Sequence, residues 1–261
     1  MTRALILAGG QGTRLRPLTN DKPKCLVELC GRSLLSRQVE TLHSCGINDI
    51  HIVTGYLKEK IEAQGFNTSY NSRFDKTNMV ESLFSALAFI EQTGDLIISY
   101  GDIVYEPGNL QRLLDCDNEI AIMVDRKWAD LWLLRFENPL EDAETLILDD
   151  DNYITELGKK SENYDSSQGQ YTGLIKLRSD KTKDFIAFYN DLDRDAIYDG
   201  KDFDNMYMTS FIQLLINKGW KVKACMVDSG WLEIDSIEDL DTYENMQSNG
   251  VLERFYKLGE Q

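Results

Sequence analysis

Apolar runs and amphipathic stretches alternate along the first half of the chain. Ala4-Leu5-Ile6-Leu7-Ala8 is short and wholly apolar, the pattern of a buried strand. The 34–44 stretch sets Leu34, Leu35, Gln38, Val39 and Leu42 at helical spacing and runs into Cys45-Gly46, a C-cap signal. Runs 49–54, 95–100 and 119–124 predict further strands, and 68–70 a shorter one. Between them 58–63, 79–90 and 109–114 predict helices. This alternation implies α/β architecture: a doubly wound, mostly parallel sheet with ligands at the carboxyl ends of its strands. The rhythm changes at Asp125. Short alternating runs at 131–136, 145–148, 153–157 and 170–177, with turn signals between them, predict an inserted antiparallel β lobe over 125–177. Helices over 181–191 and 204–217, a strand over 221–227 and a closing helix over 236–246 complete the chain. Ser236 reads as the N-cap of that last helix, with Asp239 as its capping-box partner. No internal repeat or low-complexity linker interrupts the pattern, so 1–261 reads as one domain with a lid-like insertion.

Composition narrows the function. The 261 residues suffice for a full core, and 42% hydrophobic with 28% charged residues is a globular balance. A net charge of −16 disfavours nucleic acid and anionic membranes as partners. Met1-Thr2-Arg3 leads into too short an apolar run for a signal peptide, and no run approaches the roughly 20 residues of a membrane span. The five cysteines (Cys25, Cys30, Cys45, Cys116, Cys225) are odd in number and form no C-x-x-C, which fits reduced thiols and a cytoplasmic location. His43 and His51 have no partner motif and read as structural. The sequence does not address oligomeric state.

The chemistry gathers at the front. The first strand breaks into Gly9-Gly10-Gln11-Gly12-Thr13-Arg14, and Arg16, Lys22 and Lys24 follow within a few residues. Glycines let backbone N–H groups form a concave nest for anionic oxygens, and the cations add fixed positive charge beside it. No Gly-Lys-Ser/Thr follows, so this is not a P-loop, and the G-G-x-G spacing lacks the third glycine of a dinucleotide fingerprint. Two carboxylates stand out further on. Asp102 follows a buried strand and Gly101, at the edge where a ligand should lie. Asp235 closes Gly230-Trp231-Leu232-Glu233-Ile234-Asp235 just ahead of a helix, where a carboxylate also complements the helix dipole. Paired with a phosphate loop, the two suit Mg²⁺, which takes one or two carboxylates plus phosphate oxygens.

The string from Leu7 to Leu29, LAGGQGTRLRPLTNDKPKCLVEL, resembles the signature of nucleotidyltransferases that join a nucleoside triphosphate to a phosphorylated small molecule. The likeness extends over nearly the whole chain. Gly55-Tyr56-Leu57-Lys58-Glu59, Asn71, Thr77-Asn78-Met79-Val80-Glu81-Ser82-Leu83 and Glu233-Ile234-Asp235-Ser236 are similar to the small phosphocholine cytidylyltransferase-like branch. The stretches 138–145, 158–160 and 169–174 look like relatives serving phosphonate, phosphoramidate or surface-polymer pathways. The resemblance implies a Rossmann-like fold and CTP-dependent CMP transfer to a phosphorylated or phosphonate amine-type acceptor, such as phosphocholine, an aminoalkylphosphonate or a phosphoglutamine-like compound. Surface-polysaccharide or lipid decoration is the implied setting. It implies that Leu7, Ala8, Gly9, Gly10, Gly12, Thr13 and Gly101 cradle the nucleotide, that Tyr56, Asn78 and Ser82 face the base, and that Asp102 and Asp235 hold Mg²⁺. Arg14 would hold the departing pyrophosphate, and Lys24 would bridge the α-phosphate and the acceptor. Trp128, Trp132, Tyr171 and Trp231 are candidate walls of the acceptor pocket, with Asp125, Arg126, Asp130, Glu144, Lys159 and Lys176 adding mixed charge suited to a zwitterion; packing is the other reading of the aromatics. The acidic turn 199–204 either faces the acceptor or is a solvated cap. A sugar-1-phosphate nucleotidylyltransferase using UTP or dTTP is the rival enzyme, and a non-catalytic nucleotide-binding regulator the rival of another class.

Overall fold

The computed structural model describes residues 1–161 and 163–259, with Glu141 described by its backbone alone; Glu162, inside the expected lobe, lies outside the described residues. The chain opens with β1 (Thr2–Ala8), a hairpin of β2 (Glu28–Leu29) and β3 (Arg32–Ser33), and α1 (Leu34–Ser44). β4 (Asp49–Thr54), α2 (Glu59–Glu62), β5 (Asn67–Tyr70), α3 (Met79–Phe84) and α4 (Leu87–Ile90) follow. Then come β6 (Asp95–Tyr100), β7 (Ile103–Tyr105), α5 (Pro107–Leu114), β8 (Ile120–Asp125) and α6 (Trp128–Arg135). The second half carries β9 (Glu144–Leu148), β10 (Ile154–Lys160), β11 (Gln170–Leu177), α7 (Thr182–Asn190), α8 (Met208–Asn217), β12 (Val222–Val227), β13 (Trp231–Glu233) and α9 (Ile237–Ser248).

Seven strands form the central sheet in the order β12-β8-β11-β6-β1-β4-β5. All neighbours run parallel except β11, which is antiparallel to both β6 and β8. β1, β6 and β8 are buried along almost their whole length, as helices on both faces require of parallel strands. The chain moves outward from β1 through β4 to β5, then returns to β6 on the other side of β1. Such a reversal opens a crevice at the carboxyl ends of β1 and β6, where open α/β sheets bind their ligands.

Three expectations need correction. The 131–136 run is not a strand: Trp128, Leu131 and Trp132 are buried at i, i+3, i+4 spacing, and the segment is α6. The 170–177 run is a strand but not part of a lobe; it is buried from Tyr171 to Leu177 and sits inside the central sheet, so among the described residues of 125–177 the separate antiparallel unit is the β9–β10 hairpin. The 79–90 helix is two short helices, broken where the Ser85 hydroxyl donates to the Ser82 carbonyl (2.6 Å), a local bond that competes with helix continuation. The closing helix has the expected capping box, Ser236 with Asp239.

Candidate active site

β1 delivers the glycine loop to the crevice. On either side of Ala8 the backbone is gripped: Gly101 N–H donates to Leu7 O (2.9 Å), and Tyr56 N–H to Gly9 O (3.1 Å). That approach requires glycine at 101, where a Cβ would stand 2.7 Å from Leu7 O. Gly12 takes φ +63°, and the Thr19 hydroxyl donates to its carbonyl (2.8 Å). The following 3₁₀ turn, Thr13–Leu15, holds Arg14 at the mouth with its side chain 66% exposed.

The resulting cleft has a volume of about 440 Å³. Leu7, Ala8, Gly9, Gly10, Gly12, Thr13, Arg14, Lys24, Asn78, Ser82, Gly101, Asp102 and Asp235 all line it, so the structure brings together nearly all the nucleotide-side residues expected from the sequence. Tyr56 does not line it. Its hydroxyl donates to Asn20 O (3.1 Å) and its ring faces Phe74, which is the lining residue. Buried Asn71 organises the Ser82 side of the cleft, donating to Ser82 Oγ and Thr77 Oγ1 (both 3.0 Å) and accepting from Arg73 N–H (2.9 Å). Asn78 caps α3, accepting from Met79 N–H at 2.8 Å.

Opposite the loop lie three carboxylates. β13 pairs antiparallel with β7, and Ile234 N–H donates to Asp102 O (3.0 Å). This pairing sets Asp102, Glu233 and Asp235 together, with one oxygen of each within 4.8 Å of the others. Lys24 Nζ stands between the aspartates, 2.7 Å from Asp102 Oδ2 and bonded to Asp235 Oδ1; Arg14 lies 3.2 Å from that same Asp235 oxygen. Burial works against the Lys24 charge, but the two aspartates outweigh it and hold its pKa above the ordinary lysine value. Burial likewise opposes ionisation of Asp235, and Lys24 overrides it, keeping the pKa low. Glu233 is pushed up to about 7 by burial and by Asp235, with Arg135 opposing. Asp102 Oδ1 is buried with no hydrogen-bond partner among the described residues. An orphaned carboxylate oxygen beside two more carboxylates is a hard-oxygen donor set that fits Mg²⁺.

The acceptor-side expectation fails for the tryptophans. Trp128, Trp132 and Trp231 are at most 3% exposed and do not line the cleft. They pack on one another, Trp128 edge-on to Trp132 (ring centroids 6.2 Å apart) and Trp132 tilted against Trp231 (5.9 Å). Trp128 donates to Ser167 O (3.1 Å) and Trp231 to Asp125 Oδ2 (2.9 Å), so the N–H groups of those two are used internally, while Trp132 Nε1 is buried with no hydrogen-bond partner among the described residues. Burial of the large rings of α6 and β13 in the core is the physical reason. Tyr171 also stands back, bonded through its hydroxyl to that of Tyr100 (3.1 Å), and Tyr100 is the lining residue. Asp125 and Lys176 are structural as well: Asp125 accepts from Lys127 and Ser229 N–H, and Lys176 donates to the Leu114 and Cys116 carbonyls. Arg126 pairs with Asp228 and Lys159 with Glu156. In the acidic turn, Asp202 caps Asn205 and Asp204 pairs with Arg73.

Sequence reasoning missed Cys25, Phe74, Thr77, Met79, Tyr100 and Glu233 as lining residues. Glu233 carried a signal, because two positions before Asp235 in an extended segment puts both carboxylates on one side.

A model of the MobA-like NTP transferase domain matches residues 4–153. The CTP:phosphoglutamine cytidylyltransferase of Campylobacter jejuni is 48% identical over 249 residues, spanning 91% of this chain and 97% of that protein. The structure of the inositol-1-phosphate CTP transferase from T. maritima superposes with a TM-score of 0.74 at 20% identity, covering 97% of this chain and 95% of that one. The CTP:phosphocholine cytidylyltransferase from Streptococcus pneumoniae gives 0.71 at 23% identity, covering 94% and 99%. At those identities the two structures speak to the fold, which is the nucleotidyltransferase fold expected from the sequence. The domain match and the full-length relative together establish that the chain belongs to the MobA-like NTP transferase family.

Proposed function

We propose that this protein transfers CMP from CTP to a small phosphorylated acceptor of the phosphoglutamine kind, releasing pyrophosphate. The observation that carries the reading is the 48% identity to a CTP:phosphoglutamine cytidylyltransferase along nearly the full length of both chains. The cleft suits that chemistry. The glycine loop lines the cleft where a triphosphate would lie, its backbone N–H groups being available to the phosphate oxygens, with Arg14 at the mouth to hold the departing pyrophosphate. Ser82 accepts from Asn71, which leaves its own proton free to donate to an acceptor atom of the base.

An acceptor phosphate oxygen attacks the α-phosphorus in line with the leaving pyrophosphate. This nucleophile is already an anion, so no general base is needed. The barriers are repulsion between two anions and charge growing on the leaving group. Lys24, reaching both the α-phosphate and the acceptor oxygen, lowers the first; Arg14 lowers the second. Mg²⁺ held by Asp102 and Asp235, with Glu233 beside them, would supply Lewis-acid neutralisation of the phosphate oxygens. Glycine-loop amides and Lys24 orient the α-phosphate for attack. No described helix is long and apolar enough to cross a membrane. We place the reaction in the cytoplasm with its CTP, supplying an activated group for decoration of a surface polymer.

The test is a pyrophosphate-release assay with Mg²⁺ that crosses CTP, UTP, GTP, ATP and dTTP with phosphoglutamine, phosphocholine, phosphoethanolamine, 2-aminoethylphosphonate and glucose-1-phosphate. Turnover confined to CTP with phosphoglutamine is the expected result. Turnover with UTP or dTTP and the sugar phosphate would place the protein in the sugar branch. CTP binding with no pyrophosphate from any acceptor would make it a regulator.

A further inference from the structure

Arg135 ends α6, far in sequence from the carboxylates, and its side chain is only 1% exposed. Its guanidinium is spread over three acidic residues. Nη1 donates to Glu233 Oε2 (2.8 Å), Nη2 to Asp235 Oδ2 (3.4 Å) and Asp239 Oδ2 (3.2 Å), and Nε to Asp239 Oδ1 (2.8 Å). The Trp132 and Phe136 rings lie 4.8 and 5.2 Å from its central carbon and fix the plane of the fork. Asp239 is itself pinned by the Asp235 and Ser236 N–H groups (2.9 and 3.0 Å), so the anchor behind the guanidinium is rigid.

The oxygens are divided. Arg135 takes Oδ2 of Asp235, while Oδ1 of the same residue faces Lys24 and Arg14 in the cleft. A carboxylate with one oxygen tied to a buried cation presents the other in a fixed direction, which is how groups behind metal ligands set ligand orientation. Arg135 also offsets part of the charge of the converging Asp102, Glu233 and Asp235 carboxylates and of Asp239 behind them.

We propose that Arg135 is a positioning residue for the divalent-cation site, orienting Glu233 and Asp235 toward the position they share with Asp102. This rests on the reading of those carboxylates as the Mg²⁺ site. It also gives the end of α6 a role: Trp132 and Phe136 hold the guanidinium rather than the acceptor.

The test is Mn²⁺ binding to the full chain, followed by electron paramagnetic resonance and titration calorimetry, together with the Mg²⁺ concentration giving half-maximal turnover. Arg135→Lys keeps a buried positive charge but loses the fork. It is expected to weaken Mn²⁺ binding and raise the half-saturating Mg²⁺ by at least about 10-fold, as loss of a group behind a metal ligand does. CTP binding measured in EDTA should stay at the wild-type value. If Arg135→Lys does not fold, Asp239→Asn is read in its place with the same expectation, since it frees the guanidinium on the side away from the cleft. A folded variant with wild-type Mn²⁺ affinity and wild-type half-saturating Mg²⁺ overturns the positioning role alone. A wild-type protein that binds no Mn²⁺, with or without CTP, overturns the metal site and the proposal with it.

Discussion

Lys24 Nζ lies 2.7 Å from Asp102 Oδ2, so the lysine expected to meet the phosphates rests on a carboxylate expected to hold the metal. Its ammonium also reaches Asp235, and the pair of aspartates keeps it charged against the effect of burial. Substrate and cation must therefore draw Lys24 off the aspartates and onto phosphate. Lys24→Ala should cut turnover at least about 100-fold, the usual cost of losing one transition-state electrostatic contact. The same change takes the Lys24 charge from Asp102 and Asp235, leaving Asp235 its contacts with Arg14 and Arg135, so Mn²⁺ should bind no more weakly than to wild type. Steady-state rates and an Mn²⁺ titration check the two halves. A near-wild-type rate would remove Lys24 from the reaction.

Gly12 controls where Lys24 stands. At φ +63° an added Cβ is strained, and it would sit 3.0 Å from Lys24 Cβ and 3.3 Å from Thr19 Cγ2. Gly12→Ala should cost about 1 kcal/mol of stability from backbone strain. It should lower kcat more than that loss of fold explains, because the lysine stem is pushed aside. Melting curves and kinetics on the same preparation decide. A normal kcat would mean that the loop absorbs the methyl group without moving Lys24.

How much of this was legible beforehand depended on whether the signal was local. The glycine loop is a contiguous string, and Asp102 follows directly on a buried strand, so both could be read from neighbours in sequence. The parallel sheet was legible because strands covered on both faces are continuous apolar runs. Arg135 was not, because its meaning comes from the pairing of β7 with β13, which no local pattern announces. The apolar residues ahead of it fitted a short alternating strand as well as the helix they form. The tryptophans misled for a related reason: ring chemistry suits a cation pocket and a core equally, and only the fold says which face each ring turns to. β11 was legible as a strand, but its place between β6 and β8 was not.

Glu144 predicts a pH dependence away from the metal site. Burial pushes its carboxyl up to about 7, with Asp142 and Asp199 adding and the Thr209 hydroxyl opposing; Lys160 sits opposite it in the β9–β10 register. The folded state therefore keeps the proton at pH values where the unfolded chain, near the ordinary 4.5, has lost it. Stability contributed by this group falls as pH rises from about 4.5 to 7 and is level above that, a loss of up to about 3 kcal/mol. Glu144→Gln should be more stable than wild type at pH 8, by roughly 5 °C or more in Tm, and converge with it toward pH 4.5. Parallel Tm profiles from pH 5 to 8 would show that the carboxyl does not carry this dependence.

Trp231 separates packing from acceptor recognition. Its ring is 1% exposed and packs on Trp132, and its indole N–H donates to Asp125 Oδ2 at 2.9 Å. Asp125 is fully buried, and burial raises its pKa against the pull of the Ser229, Lys127 and Trp231 donors. Trp231→Phe keeps an aromatic ring against Trp132 but removes one of the three donors. A buried carboxylate that loses one hydrogen bond and keeps two should cost about 1–2 kcal/mol, a drop of a few degrees in Tm. Acceptor KM should not move, because the ring does not line the cleft. The paired measurement is Tm and acceptor KM on one variant. A raised KM with an unchanged Tm would reverse the assignment, because a packing residue shows itself in stability and a pocket wall in affinity.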